Sequence, residues 1–220
     1  MFHTFDFPEF QREGVDETPL RFSLIQMPKD LTGWTVLDIG AWDGYYSFMA
    51  EKRGALRVLA TDSYKWQEEF KITHPELIPT FPDPKRKVFD EVRKALNSKV
   101  EFKEIELMDL DKLGKFDLVL CLGILYHVKD PWAIINHLGK ITKKMLIIET
   151  HTDGNAGGDL HPLIDKPLMV FYPNGWKKDY STYWGMNISC IAEMLKQAGF
   201  KDIKLINYGS NHRAIFQAFK

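Results

Sequence analysis

The residues best placed for chemistry in this chain lie in "TVLDIGAWDGYYSFMAEKRG", Thr35 to Gly54, where an apolar run carrying Asp38 opens into a loop with Gly40 and Gly44. Glycine turns between a strand and a helix commonly hold nucleotides. The dinucleotide pattern G-x-G-x-x-G, counted from Gly40, needs glycines where the chain has Trp42 and Tyr45. No Gly-Lys-Ser/Thr follows the run, so a phosphate-cradling P-loop is excluded too. A nucleoside ligand without phosphates asks for less: a glycine at the turn, room for the backbone to pass, and an acid for the two ribose hydroxyls. Gly40, Gly44 and Asp62 meet that requirement, although a plain βαβ turn with incidental acids would share them.

Ligands of open α/β sheets gather at the carboxyl ends of strands, where the strand order reverses. Besides Asp38 and Asp62, those ends carry Met108 and Asp109, the run "GILYH" from Gly123 to His127, then Glu149, Thr150 and His151. A hydroxyl that must be deprotonated calls for a base, and a histidine titrates ordinarily near pH 6.5. His127 and His151 are the two candidates just past strand ends; His74 and His161, on irregular segments, rank behind them. No His/Cys spacing suits zinc, and no metal is expected.

Positioning these residues requires alternating strands and helices, which predicts a mostly parallel sheet covered on both faces. Expected strands are Thr35 to Ile39, Arg57 to Thr61, Val100 to Ile105, Phe116 to Leu122, Met145 to Thr150, Ile203 to Tyr208 and Ala214 to Phe219. The last two are separated only by "GSNHR", too short for a crossover helix, so they should pair antiparallel. Helices are expected near Tyr45 to Arg53, closed by Gly54; from the Asp130 cap and Pro131 to about Ile141; and from about Ile188, with Asn187 as cap, to Ala198. Two Pro- and aromatic-rich stretches remain, Ser63 to Pro84 and His151 to Gly185, and long ordered loops tend to be functional. The second is the expected lid and acceptor segment.

The chain has 220 residues, enough for one domain with a full core, read here as an arm over residues 1–30 and a single domain over 31–220. Lys plus Arg (29) nearly cancels Asp plus Glu (30), so no general field draws in nucleic acid or an anionic membrane. Cys121 and Cys190 sit in apolar segments, which suits reduced thiols in the cytosol rather than a disulfide framework. The first ten residues lack the basic start and apolar run of a signal peptide, and no stretch reaches the roughly 20 apolar residues of a membrane span. A cytoplasmic monomer or homodimer is expected.

"LDIGAWDGYYSF", "ATDS" and "LMDLDKLGKFDLVLCLGILYHVKDP" resemble the motifs of class I S-adenosylmethionine-dependent methyltransferases, with a Rossmann-like seven-stranded sheet. More narrowly, "GILYHVKDP", "VFYPNGW" and "YWGMNISCIAEMLKQAGF" resemble the group related to tRNA wobble-uridine methyltransferases and carboxymethyltransferases. The resemblance implies that Asp38, Gly40, Ala41, Trp42 and Gly44 pass the methionine moiety of the cofactor. It also implies that Asp62 with Ser63 holds the ribose, Met108 with Asp109 frames the adenine, and Leu122, Gly123 and Tyr126 approach the sulfonium. Aromatic faces suit that cation, and Trp42, Tyr45, Tyr126, Tyr172 and Trp184 are available for it.

Glu149, Tyr172, Trp184 and Arg213 are the expected acceptor contacts. The tRNA enzymes of the group carry a longer segment ahead of the glycine loop than Met1 to Asp30, so a small-molecule, sugar or nucleoside acceptor is expected ahead of tRNA. The basic run "DPKRKVFDEVRKAL" reads as a solvated helix face rather than a phosphate track. Tyr126 and Arg213 fall where the resemblance places partners of the carboxylate of carboxy-S-adenosylmethionine, but the lysine that completes that set has no counterpart. Methyl transfer therefore stands ahead of carboxymethyl transfer, with a non-catalytic cofactor-binding protein as the alternative of another class.

Overall fold

A computed structural model describes residues 1–63, 86–153, 166–177, 179–209 and 212–220 of the protein. The chain forms two compact units, Met1–Glu106 and Leu107–Lys220. Seven strands, the seven expected from the sequence, make one mostly parallel sheet in the order Asp202–Gly209, Arg213–Phe219, Thr142–His151, Phe116–Leu122, Thr35–Ile39, Arg57–Asp62 and Glu101–Glu104.

In the first unit, β3 (Thr35–Ile39), β4 (Arg57–Asp62) and β5 (Glu101–Glu104) run parallel. β3 and β4 are nearly continuous apolar runs, and Val36, Leu37, Ile39, Val58, Leu59 and Ala60 are buried. That is the pattern of strands covered on both faces. Helix α2 (Tyr45–Lys52) follows the glycine loop and stops at Gly54, in left-handed conformation at φ 86°. The basic run becomes α3 (Arg86–Ala95), which buries Phe89 and Val92 and pairs Arg86 with Asp90.

The first 30 residues hold more structure than an arm. A small hairpin of β1 (Phe5–Phe7) and β2 (Phe10–Arg12) precedes α1 (Thr18–Ile25). Phe5, Phe7 and Phe22 gather around the buried Tyr45 of α2, with ring centroids 5.3 to 5.8 Å from it.

In the second unit, β6 (Phe116–Leu122) runs parallel to β7 (Thr142–His151). β11 (Arg213–Phe219) is antiparallel to both β7 and β10 (Asp202–Gly209), the expected terminal hairpin. Between β6 and β7, α4 (Pro131–Ile141) is capped by Asp130, whose side chain accepts from Ala133 N, and it buries Ile134, Ile135, Leu138 and Ile141. β7 starts at Thr142, earlier than the expected Met145, because Thr142 still pairs with Phe116 across a register shift that leaves the exposed Lys143 and Lys144 outside the pairing. A two-stranded sheet of β8 (Met169–Phe171) and β9 (Trp184–Met186) leads into α5 (Ile188–Gln197). Asn187 caps α5 by accepting from Cys190 N and also binds Lys166 O and Leu168 N, tying the stretch before β8 to the helix. Cys121 and Cys190 are buried thiols rather than disulfide partners. Among the described residues no helix is long and apolar enough to cross a membrane.

Candidate functional site

The first unit supplies the loop. Gly40, Trp42 and Gly44 are all left-handed, at φ 65°, 56° and 90°. For a tryptophan this conformation is uncommon, costing roughly 1–2 kcal/mol relative to the right-handed one. Hydrogen bonds define the turn: Ala41 N donates to Thr61 O, Gly44 N to Ala41 O, and Trp42 N to Asp62 Oδ2 at 3.0 Å. Asp62, buried at the end of β4, accepts Ser63 N at its other oxygen, 2.8 Å away. Ser63 Oγ in turn donates to Glu106.

Asp38 is buried beneath the loop and accepts the hydroxyl of Ser47 at 2.6 Å. Burial raises its carboxyl to about 6, against the opposing pull of Ser47 and His3. Next to Trp42, Asp43 is buried too, and it binds Phe2 N, His3 N and His3 Nδ1. The Phe2 ring lies 5.5 Å from the indole of Trp42. Asp43 and its partners are contacts of the loop that sequence reasoning missed.

The second unit supplies a cluster at the ends of β6, β7 and β11. Arg213 opens β11 opposite His151 in register and clamps Glu149 with Nε and Nη2, one to each carboxylate oxygen. Its guanidinium sits 4.5 Å from the ring centroid of Tyr126. Burial alone would lower its pKa; Glu149 and Tyr126 carry it above its ordinary value instead. Burial raises the Tyr126 hydroxyl, and Arg213 only partly counters that. Gly123 is left-handed at φ 74°, and a Cβ there would lie 3.6 Å from both Arg213 Nη2 and Tyr126 Oη.

His151 is buried, and desolvation helped by the charge of Arg213 pushes its pKa down to about 4, so it is neutral at pH 7. Its Nε2 is 3.3 Å from Tyr172 Oη, which donates to Asp153. Trp176 lies against the imidazole at 4.3 Å. His127 is different: Nδ1 donates to the Ser181 carbonyl at 2.9 Å, tethering the segment before β9, and burial lowers its pKa.

The structure thus brings together Gly123, Tyr126, Glu149, His151, Tyr172 and Arg213. Leu122 closes β6 beside them, paired in register with Glu149. Trp184 packs against Phe171 at 5.0 Å, its indole nitrogen buried without a partner among the described residues. Met108 and Asp109 occupy a 3-10 turn over Leu107–Leu113, where Met108 is 54% exposed and Asp109 pairs with Lys112. His74 and His161, and residues 154–165 and 178 of the expected lid over His151 to Gly185, lie outside the described residues. Among the described residues no cluster of His, Cys, Asp or Glu could hold a metal ion.

The residues of the loop fit an adenosyl group. An acid stands at the end of β4 for vicinal ribose hydroxyls, three left-handed residues keep the turn open, and Gly40 to Gly44 holds no cation of the kind a phosphate would call for. With the antiparallel final strand, this acid and glycine turn defines the class I S-adenosylmethionine-dependent methyltransferase architecture.

A family model described as a methyltransferase domain matches residues 7–205. The chain belongs to this methyltransferase-domain family. It is 30% identical over 171 residues to a ubiquinone biosynthesis O-methyltransferase of Neisseria meningitidis, covering 74% of this chain and 64% of that one. It is 22% identical over 191 residues to a tRNA U34 carboxymethyltransferase of Campylobacter jejuni, covering 85% of this chain and 56% of that one. The chain therefore spans between about half and two thirds of these relatives. Among solved structures, the N-terminal domain of EvdMO1, crystallised with SAH and D-fucose, superposes with a TM-score of 0.69 at 18% identity, covering 99% of this chain and 90% of that one.

Proposed function

We propose that the chain transfers a methyl group from S-adenosylmethionine to an oxygen, or a nitrogen, of a small-molecule acceptor such as a sugar or nucleoside. When bound, that donor supplies an electrophilic methyl on a sulfonium. Asp62 would hold its ribose, the loop from Gly40 to Gly44 its methionine moiety, and Tyr126 and Gly123 would face the sulfonium side. Alignment and exclusion of water are the protein's main contributions to such a displacement.

The observation that carries the reading is His151, buried at the end of β7 and uncharged at neutral pH. A neutral imidazole can take the proton of an acceptor hydroxyl as the new oxygen–carbon bond forms. Tyr172, whose own proton goes to Asp153, accepts from Nε2–H and so orients the ring, which makes Nδ1 the nitrogen that would take the acceptor's proton. Arg213 supports a methyl rather than a carboxymethyl donor, since Glu149 already neutralises its charge and takes its Nε and Nη2 edge. The names of the relatives support both a small O-methyl acceptor and tRNA.

Labelled donor, incubated with the protein and separated metabolite and RNA fractions, tests the reading. Label is expected in the small-molecule fraction, reduced about 10²-fold or more by His151→Gln while donor binding persists. Label in RNA alone would replace the acceptor assigned here by tRNA, and absence of any stabilisation by S-adenosylmethionine would remove the donor.

A further inference from the structure

Asp43 stands between two left-handed residues, Trp42 and Gly44, with 1% of its surface exposed. A buried carboxylate is expensive unless hydrogen-bond donors fill its lone pairs. Here the donors come from residues 2 and 3: Phe2 N and His3 N reach Oδ2, each at 3.0 Å, and His3 Nδ1 meets Oδ1. The neighbouring Trp42 is gripped twice, by the Phe2 ring on its indole and by Asp62 Oδ2 on its backbone N–H.

Residues 2–4 are themselves held from behind. Asp16 N donates to Phe2 O, Thr4 N to Asp16 O, and Thr4 N also to Thr18 Oγ1. Gly14 passes so close that a Cβ there would fall 2.4 Å from His3 O. The imidazole is further walled by Tyr46 at 5.4 Å and Tyr45 at 6.1 Å.

We propose that Phe2 and His3 form a clasp that positions the donor-binding loop: closed on Asp43, it holds Trp42 left-handed with its N–H aimed at Asp62. The clasp rests on the reading of this loop as the donor site. Opening it removes three donors from Asp43, which must then turn toward water. Trp42 moves with it, and Asp62 loses the N–H that orients its carboxylate for the ribose. His3, Phe2 and Asp43 are positioning residues; none needs to touch the donor.

Two measurements on the full chain test this. In donor-free protein, hydrogen exchange at the Trp42 amide is expected to speed up about tenfold or more in His3→Ala, matching the loss of one charge-assisted hydrogen bond. In steady-state kinetics, His3→Ala and Phe2→Ala should raise KM for S-adenosylmethionine about tenfold while kcat and the acceptor KM change far less. Asp43→Asn should restore most of what Asp43→Ala loses, because the amide oxygen can still accept both backbone N–H groups and its NH₂ can donate to His3 Nδ1.

Unchanged exchange at Trp42 in a folded His3→Ala protein would overturn the clasp, whatever the donor. So would Asp43→Asn proving as damaging as Asp43→Ala. A wild-type protein that does not bind S-adenosylmethionine would instead defeat the donor reading, leaving the exchange result to decide the clasp.

Discussion

Asp38 makes the stability of this protein depend on pH in an unusual direction. Its carboxyl, buried at the end of β3 and bonded to Ser47, is raised from an ordinary 3.8 to about 6. The folded state therefore binds this proton more tightly than the unfolded chain does. The resulting stabilisation is complete below about pH 3.8 and is lost as pH rises through about 6. About two pKa units at ~1.4 kcal/mol each give roughly 3 kcal/mol of difference between acid and neutral pH.

Asp38→Asn removes the ionisation and keeps an oxygen for the Ser47 hydroxyl. Urea unfolding of both proteins between pH 4 and 7.5 isolates the effect, since the other carboxylates contribute equally to each. The variant should gain on the wild type by about 2.5 kcal/mol across that range, or about 1 M in midpoint. A difference between the two proteins that stays constant with pH would refute the reasoning.

Three further outcomes are expected. If His151 is the base, kcat/KM for the acceptor stays level from pH 8 to pH 6 at saturating donor and falls only as pH drops toward about 4, where the imidazole takes a proton. Glu149→Ala strands the guanidinium of Arg213 in a mostly buried place, and chemical denaturation should show a loss of about 3 kcal/mol. Gly44→Ala places a Cβ 2.6 Å from Phe89 and 2.7 Å from Phe48 on a left-handed backbone, so thermal unfolding should register a loss of about 2 kcal/mol or more.

The sheet was legible because its strands are short apolar runs bounded by turn residues, and the caps of α4 and α5 announce themselves as Asp130-Pro131 and Asn187. Four strands, β1, β2, β8 and β9, were not, since three residues are too few to show alternation. Asp62 was legible as a candidate because a strand end and a loop sufficient to propose its role lie close in sequence. Asp43 was not: its partners are about forty positions away at Phe2 and His3, and nothing local marks an acid that will be buried. The same holds for Asp153, reached through Tyr172, and for Trp176, brought onto His151 by the fold of the stretch before β9.

The register of β11 against β7 has a consequence for how the site comes into being during synthesis. Glu149 and His151 leave the ribosome some sixty residues before Arg213. Until that strand is added, Glu149 has no countercharge from it and β7 presents an open edge to solvent. The strand-end cluster is thus complete only once β11 has paired, and a nascent chain halted before β11 would display β6 and β7 with neither the clamp on Glu149 nor the positive charge that helps keep His151 neutral.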